Sequence, residues 1–297
     1  MSVGVSALNV LTRPCTPGEG SIATDTGWRA QLALGFQRDG ARTVLARRKH
    51  SGPLRVQRPF YPEAAEVCHV YLLHPPGGLV GGDALSIMID VDASAHALVT
   101  TPAAGKFYRS AGLWSRQQQQ LNVASGAKLE WLPQENIVFN GARAAVQTRI
   151  VLDAGAQFIG WDMTCLGRPA ARESFDHGAW RCAVEVWRGA TPLLIERANV
   201  AGGSSMLSAP WGWAGDSVSA TLLATGDHHA VIDDVRALLA DLVRDGKCGV
   251  TQIADVLVCR YLGPDADEAR RCLQAVWAQL RQRVVGCAPC RPRIWET

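Results

Sequence analysis

Residues 144–153 read AAVQTRIVLD, a stretch in which apolar and polar side chains alternate. One side of this alternation consists of Val146, Thr148, Ile150 and Leu152. A period of two is typical of a β-strand with one buried face, because successive side chains point to opposite sides of a sheet. The stretch therefore predicts a half-buried strand.

Short runs of this kind recur from Trp28 to about Ala224, separated by Gly, Pro, Asp and Asn. Further examples are AHALVTT (95–101), AKLEWLP (127–133), AQFIGWDMTC (156–165), WRCAVEVWRG (180–189) and TPLLIERANV (191–200). Turn signals at intervals of about 8–12 residues favour a β-sandwich or stacked sheets. We therefore predict a mainly β fold with stacked antiparallel or mixed sheets, sandwich-like, in which RGAT (188–191) forms a hairpin turn.

Two later segments change to a helical period. The apolar stripes are Val231, Val235, Leu238, Leu239 and Leu242 in the first segment, and Leu273, Val276, Trp277 and Leu280 in the second. Asp265 and Glu268 resemble a capping box, and Gly246 lies where a C-cap would end the first helix. We predict two α-helices near the C-terminus, at about residues 231–245 and 266–285.

Length, charge and cysteine content narrow the class of protein. We predict one β-rich domain over residues 26–297, after a mobile leader over residues 1–25 that is rich in Gly, Thr, Pro and Ser. The formal net charge of +3 is too small to predict nucleic-acid binding. Because no apolar run of 18 residues and no secretory signal occurs, we expect no membrane span. Nine irregularly spaced cysteines fit reduced thiols, and hence a cytoplasmic protein.

Two glycine-containing stretches invite comparison with nucleotide-binding loops. They are LHPPGGLVGGD (73–83) and TTPAAGKFYRS (100–110). A Walker A loop needs G-x-x-x-x-G-K-[ST], but Lys106 is followed by Phe107, and GGLVGG does not match G-x-G-x-x-G. The first stretch is then either a wide turn or a tightly packed loop that fixes Asp83. Lys106 either snorkels from an edge strand or pairs with Asp83 in the interior.

Metal and catalytic motifs are incomplete. Cys287 and Cys290, in CAPC, have the spacing of half a zinc site, but no second half occurs, and reduced thiols are the alternative. His228 and His229 are adjacent, so on a strand they would face opposite sides. His74 opens the Pro-Pro-Gly-Gly turn, which favours a hydrogen-bonded turn histidine. Since neither H-E-x-x-H nor G-x-S-x-G occurs, a β-rich hydrolase lacks a nucleophile–base pair.

Two carboxylates lie within apolar strands. Asp162 occurs in FIGWDMTC and Glu196 in PLLIERA. An uncompensated buried carboxylate is costly, so each should be paired, hydrogen-bonded or facing a metal. Pairing with Arg168 or Arg197 and exposure to a polar cavity or passage are both open on these residues alone.

Five stretches together resemble one known family. They are LHPPGGLVGGD (73–83), TTPAAGKFYRS (100–110), WLPQENIVFNGAR (131–143), GWDMTCLGRPA (160–170) and PRIWET (292–297). In this order they closely resemble the urease accessory protein UreD family, called UreH in some organisms, over residues 28–297. The resemblance implies stacked sheets with a pair of helices, in agreement with the periodicity.

The resemblance also implies a function. UreD-family proteins are non-enzymatic maturation factors that bind UreF, which recruits the GTPase UreG, and the assembly docks on the urease apoprotein. Nickel, supplied by UreE indirectly, then reaches the dinuclear site of urease. We therefore expect a scaffold or chaperone with no catalytic residues, no tightly bound cofactor and transient Ni²⁺, which crosses an internal passage lined partly by acids.

The family's functional residues are transferred by motif. The acids expected to guide nickel are Asp83, Glu135, Asp162 and Glu196, and the supporting residues are His74, Lys106, Tyr108 and Arg168, with Lys106 and Arg168 balancing charge. One position departs from the family pattern, because Asn140 stands where an aspartate is common. An amide offers an oxygen ligand without charge, which puts a metal role for this position in doubt.

The alternative is a docking platform for UreF and urease with no direct contact to nickel. In that case the acids are structural, and exposed tryptophans such as Trp211 and Trp213 in PWGW make the contacts.

Overall fold

The computed structural model describes residues 27–296, so the predicted leader over residues 1–25 lies outside the described residues. The described chain is mainly β, which confirms the predicted fold class. The strands are β1 (Arg29–Asp39), β2 (Arg42–Ser51), β3 (Arg55–Val56), β4 (Val67–Leu73), β5 (Ala84–Val91), β6 (His96–Thr100), β7 (Gly105–Phe107), β8 (Ser115–Val123), β9 (Lys128–Leu132), β10 (Asn136–Val138), β11 (Arg143–Leu152), β12 (Gln157–Leu166), β13 (Ala179–Arg188), β14 (Thr191–Ala201), β15 (Val218–Thr225), β16 (Lys247–Ile253) and β17 (Val256–Gly263).

Helices occupy the C-terminal third. The α-helices are α1 (Ser205–Ser208), α2 (Ile232–Leu242) and α3 (Ala266–Val285), and the short 3₁₀ turns are Pro169–Ala171, His229–Val231 and Arg293–Glu296. Within the described residues, no helix combines the length and the apolar character needed to cross a membrane.

The strands form two stacked sheets. The first sheet has the order β14-β13-β11-β8-β5-β1-β2, and the second has β16-β17-β15-β12-β9-β6-β4-β3, with β7 and β10 attached beside β12. From β4 to β13 the chain alternates between the sheets, and neighbours such as β8 and β11 pair in parallel. Antiparallel pairs occur towards the ends, and β13 and β14 form the predicted hairpin around residues 188–191. The chain thus winds like a solenoid.

Two hydrophobic cores follow from this arrangement. One lies between the sheets and includes the buried side of β11, as its alternating sequence predicts. The other lies between the second sheet and α2 and α3. Strand β12 is shared by both: Phe158 belongs to the core between the sheets, and Trp161 and Met163 to the core under the helices. This two-sided burial explains why the sequence of β12 is almost continuously apolar.

The first long helix is shorter than predicted. Helix α2 ends at Leu242, and Gly246 is not its cap. The Glu268 carboxylate instead accepts hydrogen bonds from the backbone N–H groups of Arg244 (2.7 Å), Asp245 (3.3 Å) and Gly246 (2.9 Å). These bonds hold the segment after the helix in a non-helical path.

Only half of the predicted capping box is present at the start of α3. The Asp265 side chain accepts hydrogen bonds from the backbone N–H groups of Asp267 and Glu268, so it is the N-cap. Glu268 does not complete the box, since its carboxylate binds the segment after α2 and the hydroxyl of Tyr261 (3.0 Å). Burial alone would raise the pKa of Glu268, but these hydrogen bonds outweigh it and lower the pKa.

The substitution Glu268→Ala should lower the free energy of unfolding by about 1–3 kcal/mol, because it leaves buried N–H groups without an acceptor. Asp267→Ala is the matched control: that side chain is exposed and pairs with Arg270, so its loss should cost less than about 0.5 kcal/mol. Urea unfolding of both variants measures the difference. Equal losses would contradict a structural role for Glu268.

Candidate functional site

Two cavities between the sheets meet at Asp162. Cavity 1, of about 410 Å³, is lined by Asp162, Cys182, Glu196 and Arg260 among others. Cavity 2, of about 380 Å³, is lined by His74, Lys106, Asn136 and Asp162 among others. Asp162 and Trp131 line both. Because Asp162 has the same parity in β12 as Phe158, its side chain points into the space between the sheets rather than towards the helices.

The Asp162 carboxylate has only weak partners. Asn136 Nδ2 donates to Oδ1 at 3.3 Å, and Thr164 Oγ1 and Cys182 Sγ lie 3.5 and 3.8 Å from Oδ2. Within residues 27–296 no Lys, Arg or His forms an ion pair with it. Burial raises its pKa to about 6, and the hydrogen bonds from Thr164, Cys182 and Asn136 offset only part of this effect. The site therefore leaves a half-buried negative charge uncompensated at the edge of the two cavities, which favours a cation.

Glu196 lies at the far side of cavity 1 and is paired. Its carboxylate forms an ion pair with Arg260, and about 30% of the side chain is exposed. Arg197 pairs with Glu185 instead, with Nη2 and Oε1 2.9 Å apart. The sequence left open either pairing with an arginine or exposure to a polar cavity. Glu196 is paired, but with Arg260 rather than Arg168 or Arg197. Asp162 faces the cavities.

Asp83 fixes the glycine-rich loop. Its two carboxylate oxygens accept the backbone N–H groups of Trp28 (2.8 Å) and Val80 (2.9 Å), and among residues 27–296 no ion pair joins Asp83 to Lys106. Burial lowers the pKa of the nearby His74, and the charge of Asp83 opposes this shift. Asp83 does not line either cavity, whereas His74 and Lys106 line cavity 2.

Tyr108 packs against this loop. A Cβ atom at Gly78 would lie 2.4 Å from the Tyr108 ring, so only glycine permits the contact. The loop is therefore tightly packed, and its residues Gly77 and Gly78 line cavity 2, whereas Tyr108 lies behind them and does not line it.

Glu135 and Arg168 lie away from the cavity junction. Glu135 pairs with Arg270 of α3 at 2.9 Å. Arg168 pairs with Glu173 and stacks on the Phe139 ring at 4.6 Å. We had expected Arg168 to balance the charge of the predicted acids. Its guanidinium group instead pairs with Glu173, an acid five residues away in the loop after β12.

Asn140, the departure from the family pattern, has a structural role. Its side-chain oxygen accepts the backbone N–H groups of Asp176 (3.0 Å) and His177 (2.8 Å). An aspartate oxygen could accept the same bonds, so the substitution preserves this loop contact.

Sequence reasoning missed a buried ionic cluster under α3. Arg281 is fully buried and donates to Glu130 (2.9 Å) and Glu63 (2.7 Å), while His96 and His69 contact the same two carboxylates. The only sequence signal was a glutamate and an arginine at apolar positions of a strand and a helix. The members lie up to 218 residues apart, so no local motif unites them.

The cysteines of CAPC lie beside this cluster. Cys287 Sγ is 4.0 Å from His96 Nδ1. Across the described part of the chain, however, no three His, Cys, Asp or Glu side chains are arranged to hold a metal ion. Cys287 and Cys290 are free cysteines in this structure.

Comparisons with known proteins agree on one family. A family model described as UreD urease accessory protein matches residues 29–296. The urease accessory protein UreD of Alkalilimnicola ehrlichii is 45% identical over 95% of this chain and 96% of its own length. Those of Citrobacter koseri and an Azoarcus species are 46% and 44% identical, covering 91% and 93% of this chain and 92% and 96% of their own lengths.

Proposed function

The chain belongs to the UreD family of urease accessory proteins, and from this membership we propose that it acts in urease maturation as a cytoplasmic scaffold without catalysis of its own. In this proposal it binds UreF, and through UreF the GTPase UreG, on the urease apoprotein. Nickel, which originates from UreE, is cargo for the assembly, and no cofactor is bound permanently.

The junction of the two cavities at Asp162 is the observation that carries a nickel-passage role. An ion that moves between cavity 1 and cavity 2 passes a half-buried carboxylate that has no counter-ion among residues 27–296. At ~5 Å and an effective dielectric of ~20, Ni²⁺ and one carboxylate attract each other by roughly 6–7 kcal/mol before desolvation is subtracted. Such an attraction offsets part of the dehydration cost, and a single charged ligand still allows release.

The two cavities differ in the charged residues that line them. Glu196 and Arg260 form a paired charge in cavity 1, and Lys106 and His74 lie in cavity 2. Lys106 places a positive charge along cavity 2, which keeps a cation from settling there. We assign Asp162 the main role, Glu196 a secondary one, and Asp83 the task of shaping the wall of cavity 2. Glu135 anchors α3 through Arg270.

The variants Asp162→Ala and Glu196→Ala test this proposal after co-expression with urease and the partner proteins. We expect Asp162→Ala to lower nickel per urease active site about fivefold or more, and Glu196→Ala to lower it less, because only Asp162 lacks a counter-ion. Both nickel content and the amount of co-purified complex are measured. The matched control is Glu66→Ala, which removes an acid that is largely exposed.

Normal nickel with a normal complex in Asp162→Ala would contradict the passage. The docking-platform alternative is favoured by Trp211, which is 74% exposed, whereas Trp213 packs against the core between the sheets. That alternative predicts the opposite result: Trp211→Ala lowers the recovery of the complex, and Asp162→Ala has no effect on nickel.

A further inference from the structure

A row of arginines crosses the outer face of the first sheet, the face turned away from the second sheet. In the parallel strands β8, β11 and β13, Ala145 is in register with Arg116 on one side and Arg181 on the other. Neighbouring strands are about 4.8 Å apart, so the two arginine Cα atoms are separated by about 10 Å. The small Ala145 side chain between them leaves a groove of about 390 Å³.

The groove has cationic and amide walls. Its polar lining side chains on the outer face are Arg116, Gln118, Gln147, Arg181, Arg197 and Asn199, and no carboxylate lines it. Among residues 27–296, Arg116 and Arg181 form no ion pair. Arg197 pairs with Glu185, which lies two residues beyond the groove floor at Ala183. The groove therefore presents uncompensated positive charge.

One of these arginines is held in place before any ligand binds. The guanidinium group of Arg181 lies 4.4 Å from the centre of the Trp114 ring, and that of Arg143 lies 5.1 Å from it. Stacking reduces the rotamer freedom that an arginine loses when it binds a carboxylate. This arrangement favours recognition of an anion by a preformed site.

Exposed apolar side chains lie on the same face. Met88 of β5 is 44% exposed and Ile195 of β14 is 41% exposed. Met88 is in register with Gln120 and Ile195 with Glu185, so both share the parity of the arginine row. Protein interfaces combine arginine, methionine and apolar surface in this way. A nucleic-acid surface would instead require a broad basic patch, and the chain has a net charge of only +3.

We propose that the arginine groove, formed by Arg116, Arg181 and Arg197 over Ala145 and Ala183, docks an acidic surface of a protein partner in the urease-maturation assembly. The partner presents at least two carboxylates, one for Arg116 and one for Arg181. This inference rests on the proposed role in urease maturation, but it does not depend on a nickel passage, since neither Arg116 nor Arg181 lines cavity 1 or cavity 2.

The test is the double variant Arg116→Glu/Arg181→Glu in the full chain, co-expressed with the accessory proteins and the urease apoprotein. The matched control is Arg48→Glu/Lys49→Glu, which makes the same change of charge at exposed positions of the edge strand β2. We expect the groove variant to raise the Kd of the assembled complex about tenfold or more and to flatten its salt dependence, and the control to change the Kd less than about twofold.

A second variant separates charge from folding. Arg116→Gln/Arg181→Gln removes both charges without adding repulsion, and it should raise the Kd in the same direction while the unfolding midpoint stays unchanged. An unchanged Kd in the groove variants, or an equal rise in the control, would overturn the proposal. The proposal would also be overturned if the parent chain bound a short DNA or RNA duplex and the groove variants lost that binding while the protein complex stayed intact. If the groove variants weaken the complex while Asp162→Ala forms it with the normal Kd, the docking surface is tested separately from the nickel passage.

Discussion

Replacing Arg281 by methionine is expected to lower the free energy of unfolding by about 3–5 kcal/mol, because it leaves Glu130 charged and buried without its main partner. Glu130 and Arg281 are both fully buried. Arg281 Nε and Nη2 donate to the two oxygens of Glu130 at 2.9 Å each, and Trp277 Nε1 donates to the same carboxylate at 2.7 Å. The pair joins α3 to β9 on the helix-covered face of the second sheet.

The same cluster gives a pH dependence with a defined sign. Burial alone would raise the pKa of Glu130, but hydrogen bonds from His96 and Arg281 outweigh it and lower the pKa to about 2, from an ordinary value of 4.5. Between about pH 4.5 and pH 2, the Glu130 carboxylate is therefore protonated more readily in the unfolded chain than in the folded chain. The stabilisation is present above about pH 4.5 and is lost as the pH falls towards 2.

Guanidinium unfolding of Arg281→Met, Glu130→Met and the double variant measures the effect. We expect the double variant to lose less than the sum of the single losses, because it leaves no unpaired charge. Arg270→Met is the matched control, since its pair with Glu135 is partly exposed and its loss should cost about 1 kcal/mol or less. Additive losses, or a loss below 1 kcal/mol for Arg281→Met, would contradict the assignment.

Replacing Asp162 by asparagine is expected to raise the free energy of unfolding at pH 7 by about 2–3 kcal/mol. Burial raises the pKa of Asp162 to about 6 in the folded chain, above its ordinary 3.8. Between these values the folded chain holds the extra proton, so stability falls as the pH rises from about 4 to 6 and is level above that range. An asparagine has no charge to desolvate, and this loss therefore disappears.

Unfolding free energies of the parent and of Asp162→Asn, measured between pH 4 and 8, test this prediction. The two curves should meet near pH 4 and diverge as the pH rises. Asp83→Asn is the control. We expect it not to raise the free energy of unfolding, because the Asp83 carboxylate already accepts two backbone N–H groups. A destabilised Asp162→Asn at neutral pH would contradict the prediction that this charge is uncompensated.

These two acids have opposite roles in the fold. Glu130 is stabilised by its partners, whereas we expect Asp162 to lower stability in the absence of a cation. A carboxylate that costs stability and faces two cavities is a better candidate for guiding an ion than one that is already neutralised. Loss of nickel together with a gain in stability in Asp162→Asn would therefore be strong support for the passage.

Local sequence patterns predicted the mainly β fold, the two longer helices and the family, although α2 ends earlier than predicted. Strand β11 was predicted from its period of two, the two C-terminal helices from their apolar stripes, and the N-cap Asp265 from its residue type. Such features depend on neighbours within four residues, so the local pattern contains the information. The five motifs identified the family for the same reason, since each is a contiguous stretch.

Which of the acids share a site depends on the tertiary structure. The parallel winding of the chain puts Asp162 between two cavities, pairs Glu196 with Arg260, and turns Arg168 to Glu173. It also brings Arg281 to Glu130 and aligns Arg116 with Arg181 across Ala145. These contacts join residues on separate strands and helices, where the partner is set by sheet order and register. Their energies depend on burial and on neighbouring charge, and a linear sequence specifies neither until the sheets have stacked.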